Sequence, residues 1–120
     1  MDIVETERIE LSIKRLGDRF LQRVFTVREM EYCGRAKYSS RHYAARFAAK
    51  EAVSKAFGTG IGKEMGWLDI EVARKESGEP YLILHDGAAR LAEARGVREM
   101  LLSLSHSDHY AVASVVLQGG

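Results

Sequence analysis

The sequence has one cysteine, Cys33, and one proline, Pro80, among its 120 residues. A lone cysteine cannot form an internal disulfide, which excludes a small secreted fold stapled by disulfides. No apolar run approaches the roughly 20 residues that a membrane-spanning helix needs. No secretory pattern of basic, apolar and small residues opens the chain either. We therefore expect a cytoplasmic protein that does not associate with membranes.

Repeats, low-complexity tracts and linkers rich in proline, glycine or serine are also missing. With 46% hydrophobic and 29% charged residues, the composition is typical of one compact domain covering residues 1–120. The net charge of +1 hides an asymmetry, because residues 1–63 carry a balance of +5 and residues 64–120 a balance of −4. The basic half is suited to a nucleic acid, a nucleotide or an acidic protein, or it is simply a set of solvated helix faces.

The first half of the sequence has the apolar spacing of helices. The pattern predicts an amphipathic, basic helix over Ile9–Val24, interrupted near Gly17. Thr26 and Glu29 have the form of a capping box, which predicts a short helix over Val27–Cys33. A stiff, alanine-rich helix then follows.

Ser39 or Ser40 is expected to cap that central helix, which runs to Ala56 and ends at Gly58. The second half predicts strands with one helix between them: strands over Trp67–Ala73 and Pro80–Leu84, a helix over Gly87–Arg95, and strands over Met100–Ser105 and Tyr110–Leu117. Strand pairs joined by tight turns favour an α+β fold with a mainly antiparallel sheet packed against helices.

Glu51 is the unusual residue of the central helix, because its helical neighbours Phe47 and Ala48 are apolar. A partly desolvated carboxylate needs a cationic partner. One interpretation is an ordinary ion pair with Lys55 four residues later. The other is a hard-cation site, which needs a further carboxylate from a distant part of the chain.

Other candidate residues carry weaker signals. Arg46, Lys50 and Lys55 share the central helix, and the glycines of residues 58–62 follow it, which suits a phosphate-bearing ligand but does not form a P-loop. His106 lies in a polar turn and is either a surface residue or a ligand contact. Cys33 has the character of a small hydrophobic residue.

Taken together, three blocks of sequence resemble the bacterial holo-acyl-carrier-protein synthases, the small class of phosphopantetheinyl transferases. The blocks are Asp2-Ile3-Val4-Glu5 with Arg8, the run from Arg46 to Ile61, and Ser103-Leu104-Ser105-His106 followed by Tyr110-Ala111-Val112-Ala113. The resemblance extends over nearly the whole chain. It implies the family's α+β fold and a homotrimer whose active sites lie between neighbouring subunits.

The resemblance also implies a magnesium-dependent transfer of 4′-phosphopantetheine from coenzyme A to a serine of apo acyl carrier protein, with release of adenosine 3′,5′-bisphosphate. Asp2 and Glu51 match the family's metal-binding carboxylates. Lys55 would contact the diphosphate, and Arg46 and His106 the phosphates of coenzyme A. The serine proton would pass to Glu51, either directly or through a water on the cation, and the sequence leaves both routes open.

Acyl carrier proteins are acidic, so the resemblance gives the first helix a role as a docking surface. Arg8 matches the family best, and the other candidates are Lys14, Arg15, Arg19 and Arg23. One feature departs from the family, since only Met1 precedes Asp2 where a short strand is usual, and Asp2 is therefore expected to be poorly anchored.

Two alternatives remain at this stage. One is a non-catalytic carrier-protein or nucleotide-binding module of the same fold. The other is an RNA-binding domain, which the lack of aromatic residues among the basic positions disfavours. We expect no nucleic-acid partner.

Overall fold

The structure, a computed structural model, describes residues 1–119. Its helices are α1 (Thr6–Leu16), α2 (Asp18–Val24), α3 (Val27–Arg35), α4 (Ser39–Ala56) and α5 (Asp86–Ala94), with a short 3-10 helix at Trp67–Asp69. Its strands are β1 (Asp2–Glu5), β2 (Ile70–Arg74), β3 (Pro80–Leu84), β4 (Val97–His106) and β5 (Tyr110–Gly119). No helix among these residues is long and apolar enough to cross a membrane.

The strands form two antiparallel sheets, one of three strands in the order β1-β5-β4 and one formed by the β2-β3 hairpin. In the larger sheet Asp2 lies opposite Ala113, and His106 lies opposite Ala111. Because cross-strand partners point to the same face of a sheet, these four side chains share one face. That face is covered by α4. The predicted α+β fold with antiparallel sheets is confirmed.

Helix α4 is enclosed on nearly all sides, and every residue from Tyr43 to Lys50 is buried. Five of its buried residues are alanines, and the helix packs on β5, where Ala111 and Ala113 are also fully buried. The buried alanines of α4 are Ala44, Ala45, Ala48, Ala49 and Ala52. Small side chains on both partners allow the helix axis to lie close to the sheet. The helix therefore carries Glu51 on a nearly rigid support.

Most predicted boundaries agree with the structure. Gly17, at φ 57°, separates α1 from α2, and Gly58, at φ 77°, follows the end of α4. Both backbone conformations favour glycine. The Thr26–Glu29 capping box is present, with Thr26 N–H donating to Glu29 Oε1 at 2.9 Å and Glu29 N–H donating to Thr26 Oγ1 at 3.3 Å.

Three expectations about local structure were wrong. The residue before α4 is Tyr38 and no side chain caps the helix, so Ser39 and Ser40 lie inside its first turn. The first three residues of the expected strand at Trp67 form a 3-10 helix, because Asp69 Oδ2 accepts a hydrogen bond from Gly66 N–H at 3.0 Å and closes a tight turn. Strand β4 begins at Val97 rather than Met100, because pairing with β5 continues to Val97 across a register shift between Val97 and Glu99.

Candidate active site

Asp2 is well anchored, contrary to the expectation from its position in the sequence. It opens β1, pairs with Ala113 of β5, and is only 7% exposed. Its Oδ1 atom accepts a hydrogen bond from Lys55 Nζ at 2.5 Å. Its Oδ2 atom is buried without a hydrogen-bond partner. The side chain therefore has one neutralised oxygen and one oxygen that still lacks a donor or a cation.

Glu51 lies half-buried on α4, close to Asp2. Burial raises the pKa of the Glu51 carboxyl above its ordinary value, and the negative charge of Asp2 raises it further, while Arg8 and Lys55 act in the opposite direction. The ion pair of Lys55 is formed with Asp2 and not with Glu51. The structure thus brings Asp2, Glu51 and Lys55 together, although the two carboxylates are 49 positions apart in the sequence.

These residues fit a hard divalent cation. Two neighbouring carboxylates repel each other, and the unpartnered Oδ2 atom of Asp2 offers the oxygen ligand that Mg²⁺ prefers. In residues 1–119 no group of three or more histidine, cysteine, aspartate or glutamate side chains could hold a metal ion. A site of one or two carboxylates is completed by water and substrate phosphate oxygens, which is the usual arrangement for Mg²⁺.

Arg46 and His106 belong to a second cluster at the start of α4. The His106 ring lies 5.1 Å from the His42 ring, and Arg46 Nη1 donates a hydrogen bond to the His42 carbonyl at 3.3 Å. Tyr32 of α3 joins them, with its ring centroid 4.3 Å from the Arg46 guanidinium and 5.6 Å from the His42 ring. His106 is exposed, whereas Arg46 is 1% exposed and its Nε atom has no partner.

Helix geometry keeps the two clusters apart within one chain. A helix turns by about 100° per residue, so Arg46 points roughly 140° away from Glu51 around the axis of α4. Arg46 faces Tyr32, whereas Glu51 faces Asp2. The predicted site residues therefore form two groups in a single copy of the chain: Asp2, Glu51 and Lys55 in one, Arg46 and His106 in the other.

Sequence reasoning missed several residues of the second cluster. A cavity of about 270 Å³ beside Arg46 is lined by two further arginines, Arg28 and Arg74, and by Tyr32 and Tyr81. The Arg74 guanidinium lies 5.2 Å from the Tyr32 ring centroid, and its Nε atom is buried without a partner. These residues come from three separate elements, and no local motif connects them. The lining also includes the buried carboxylate of Glu71, but the three arginines outnumber it and two of them keep an unsatisfied donor, so the net positive cavity suits an anion.

The predicted docking residues all lie on the outer side of α1 and α2. Arg8, Lys14, Arg15, Arg19 and Arg23 are exposed. Arg8 stands closest to the carboxylates, with its guanidinium 5.9 Å from the ring centroid of Phe47, one turn before Glu51. A shallow cavity of about 370 Å³ is lined by Arg8, Leu11 and Arg15, among others. The basic surface therefore adjoins the carboxylate site.

Cys33 is fully buried, and burial raises the pKa of its thiol to about 12. A thiol with so high a pKa carries almost no thiolate at neutral pH, so Cys33 is not a nucleophile. The interpretation of Cys33 as a small hydrophobic core residue agrees with its environment.

Comparison with known proteins adds independent information. Residues 1–115 match the family model of the 4′-phosphopantetheinyl transferase superfamily. A holo-acyl-carrier-protein synthase of Koribacter versatilis is 48% identical over 118 residues, which cover 98% of this chain and 94% of that protein.

Two solved structures have the same fold. The holo-acyl-carrier-protein synthase of Neisseria meningitidis superimposes with a TM-score of 0.90 at 32% identity, covering 98% of this chain and 94% of the other. The Helicobacter pylori synthase, solved in complex with coenzyme A, superimposes with a TM-score of 0.87 at 34% identity, covering 98% and 96%.

Proposed function

The chain belongs to the 4′-phosphopantetheinyl transferase superfamily, and from that premise we propose that it transfers 4′-phosphopantetheine from coenzyme A to a serine hydroxyl of apo acyl carrier protein. The products are holo acyl carrier protein and adenosine 3′,5′-bisphosphate. The observation that carries the proposal is the meeting of Asp2, Glu51 and Lys55. Asp2 keeps an unpartnered carboxylate oxygen beside a second carboxylate and the exposed ammonium group of Lys55.

Asp2 and Glu51 would hold Mg²⁺ in this proposal, and the bound cation would offset the charge that develops on the phosphoryl group during transfer. Lys55 has an exposed side chain that a substrate can reach. It would leave Asp2 and contact the diphosphate of coenzyme A. Lys55 thereby keeps the empty site close to neutral and supplies a positive charge once the substrate is present.

The transfer itself forms one bond and breaks one bond. The serine oxygen attacks the phosphorus that bears the pantetheine arm, and the anhydride bond to adenosine 3′,5′-bisphosphate breaks. Glu51 is proposed to accept the serine proton. The proton would pass either directly or through a water on the cation.

The second cluster enters the reaction through a neighbouring copy of the chain. We propose a homotrimer in which Arg46 and His106 of one subunit face the carboxylates of the next and bind the phosphates of coenzyme A. The outer face of the three-stranded sheet supports an assembly, because it carries exposed apolar side chains. Ile3 is 59% exposed, Leu101 45% and Val116 49%.

The acidic carrier protein would dock on the basic surface of α1 and α2. Arg8, Lys14, Arg15, Arg19 and Arg23 are exposed on that surface, and Arg8 lies close enough to Glu51 to affect its pKa, so a serine docked at Arg8 would approach Glu51. Complementary charges across such an interface mainly raise the association rate and set orientation.

The direct test is to mix the protein with coenzyme A, Mg²⁺ and apo acyl carrier protein, and to weigh the carrier protein. A carrier mass increased by one phosphopantetheine group is the expected result. An unchanged carrier mass with wild-type protein would instead indicate a binding module of the same fold.

The shared site has its own test. Glu51→Gln and His106→Ala are each expected to be inactive alone, but a mixture of the two refolded together should regain activity. In a ring of three subunits with random mixing, about one interface in four combines an intact Glu51 with an intact His106. No recovery in mixed assemblies would contradict a site built from two chains.

A further inference from the structure

A second ion pair lies inside the molecule, one residue away from Glu51. Lys50 Nζ lies 2.7 Å from Glu29 Oε1, and neither side chain has any exposed surface. The ammonium group also donates to the Val24 carbonyl at 2.7 Å and to the Trp67 carbonyl at 3.0 Å. All three of its N–H donors are therefore used.

Glu29 is equally well satisfied. Its Oε1 atom accepts from Thr26 N–H at 2.9 Å, and its Oε2 atom accepts from Val72 N–H at 3.0 Å. The pair thus connects α3, α4, the end of α2, the 3-10 helix and β2. Nothing in the proposed reaction uses either charge.

Burying both charges of this pair carries a large desolvation penalty. Burial lowers the pKa of Lys50, and the charge of Glu29 only opposes that effect. Apolar residues of similar volume often stabilise a protein as well as a buried ion pair does. Unlike apolar contacts, the hydrogen bonds of the pair depend on orientation. The Lys50 ammonium group binds three acceptors, and it thereby holds the segments that carry them in one arrangement.

One of those segments ends a loop that begins three residues after Lys55, a member of the carboxylate site. Residues 58–66 form a glycine-rich loop that leaves α4 just after Lys55 and returns at Trp67. The loop is held near its start, where Thr59 N–H and Gly60 N–H donate to the Ser54 carbonyl at 3.1 and 3.2 Å. At the other end of the loop, the Trp67 carbonyl accepts a hydrogen bond from Lys50 Nζ.

The same contact fixes the aromatic pair beside Glu51. The Trp67 ring stacks on the Phe47 ring with a centroid distance of 4.7 Å and an interplanar angle of 29°. Phe47 lies one helical turn before Glu51. The Arg8 guanidinium lies 5.9 Å from the centroid of the Phe47 ring. A shift of the Trp67 backbone would therefore reach both the loop and this aromatic pair.

We propose that Lys50 is a positioning residue for the transfer: together with Glu29 it holds Trp67 against α4 and so fixes the loop of residues 58–66 and the Phe47–Trp67 pair around the diphosphate of coenzyme A. This inference rests on the proposed function. Lys50 touches no substrate in it. Its effect is exerted through the backbone of Trp67.

The test compares wild type with Lys50→Met and with the double variant Lys50→Met/Glu29→Gln. The double variant leaves no uncompensated carboxylate in the core, so it answers the question even where the single variant fails to fold. Both changes should lower kcat at least about tenfold, because misplacement of reacting groups by about an ångström has effects of that size or larger. The KM for the carrier protein should stay within about twofold, because the docking surface is not altered.

Two further measurements do not depend on catalysis. Trp67 is the only tryptophan, so its fluorescence emission and near-UV circular dichroism report directly on the stacked pair. Lys63 is exposed within the loop, so the rate of tryptic cleavage after Lys63 reports on how firmly the loop is held. A red-shifted emission and faster cleavage are expected in the double variant, with far-UV circular dichroism unchanged. Lys75→Met, which removes a surface lysine paired with Glu79 at 3.2 Å, is the matched control and should behave as wild type.

The outcomes separate the two claims. An unchanged kcat in a folded double variant, or unchanged cleavage after Lys63, would overturn the positioning role of Lys50 and leave the transferase proposal standing. A wild-type protein that transfers nothing would overturn the proposed function, and the Trp67 spectrum and the Lys63 cleavage rate would still decide whether Lys50 holds the loop.

Discussion

Replacing Glu51 by glutamine should abolish the proposed Mg²⁺ binding and, at the same time, make the folded protein more stable near neutral pH. The reason lies in the position of the carboxylate. Burial and the charge of Asp2 both disfavour its ionised form, and the pKa of Glu51 is raised above its ordinary value of 4.5. Glutamine keeps the shape of the side chain and removes the charge. Residues of functional sites are often not the most stabilising ones, so replacing them can stabilise the folded state.

The size of the gain is modest, because the Glu51 side chain is only half-buried and water screens part of the repulsion. We expect Glu51→Gln to raise the free energy of unfolding by a few tenths to about 1 kcal/mol at pH 7.5, or the melting temperature by about 2–5 °C. The pH dependence has a definite sign. A pKa that is higher in the folded state means that wild type gains stability as the pH falls through that pKa, so the advantage of the variant should disappear below about pH 4.5.

The assay is thermal unfolding from pH 4 to 8, with and without Mg²⁺. At ten times its dissociation constant, Mg²⁺ should stabilise wild type by ~1.4 kcal/mol and leave the variant unchanged. Glu93→Gln, at an exposed position of α5, is the matched control and should show neither effect. A Glu51→Gln variant that is less stable than wild type at pH 7.5, or that still responds to Mg²⁺, would refute the reasoning.

Two other predictions test the docking surface and the core. Replacing Arg15 and Arg19 by glutamate should raise the KM for acyl carrier protein at least about tenfold and leave coenzyme A binding, measured by calorimetry, unchanged. The control Arg98→Glu on β4 should alter neither quantity. Equal losses for both substrates would argue against docking on α1 and α2. Replacing Ala48 by leucine should lower the free energy of unfolding, measured in urea, by about 1–3 kcal/mol, because the fully buried Ala48 leaves no space for added methylene groups. An unchanged free energy of unfolding would show that the surrounding side chains can rearrange to accept leucine.

Local signals in the sequence predicted most of the fold. The interruption at Gly17, the capping box at Thr26 and the β3 strand follow from backbone preferences that act over a few residues, so the sequence pattern was sufficient. The errors at Trp67 arose where specific side-chain contacts, one local and one tertiary, decide. Trp67 looks like a strand residue, but Asp69 closes a tight turn there and Lys50 holds the carbonyl of Trp67.

The site was predictable only in part, for a related reason. Glu51 was detectable because a carboxylate on an apolar helix face is unusual, and the resemblance to a family supplied Asp2. Pattern alone could not reveal that Lys55 pairs with Asp2 rather than with Glu51, since β1 and α4 are far apart in sequence. Nor could it reveal that Arg46 is enclosed under Tyr32, on the side of α4 away from Glu51.

The alanine packing between α4 and β5 has a consequence for how the site moves. Side chains longer than a methyl group can change rotamer, but alanine has none to change, so main-chain atoms alone set the gap between helix and sheet. Asp2 and Glu51 stand on opposite walls of that gap. The backbone positions of Asp2 and Glu51 should therefore shift little relative to each other, so the proposed Mg²⁺ site would form mainly by adjustment of the two side chains.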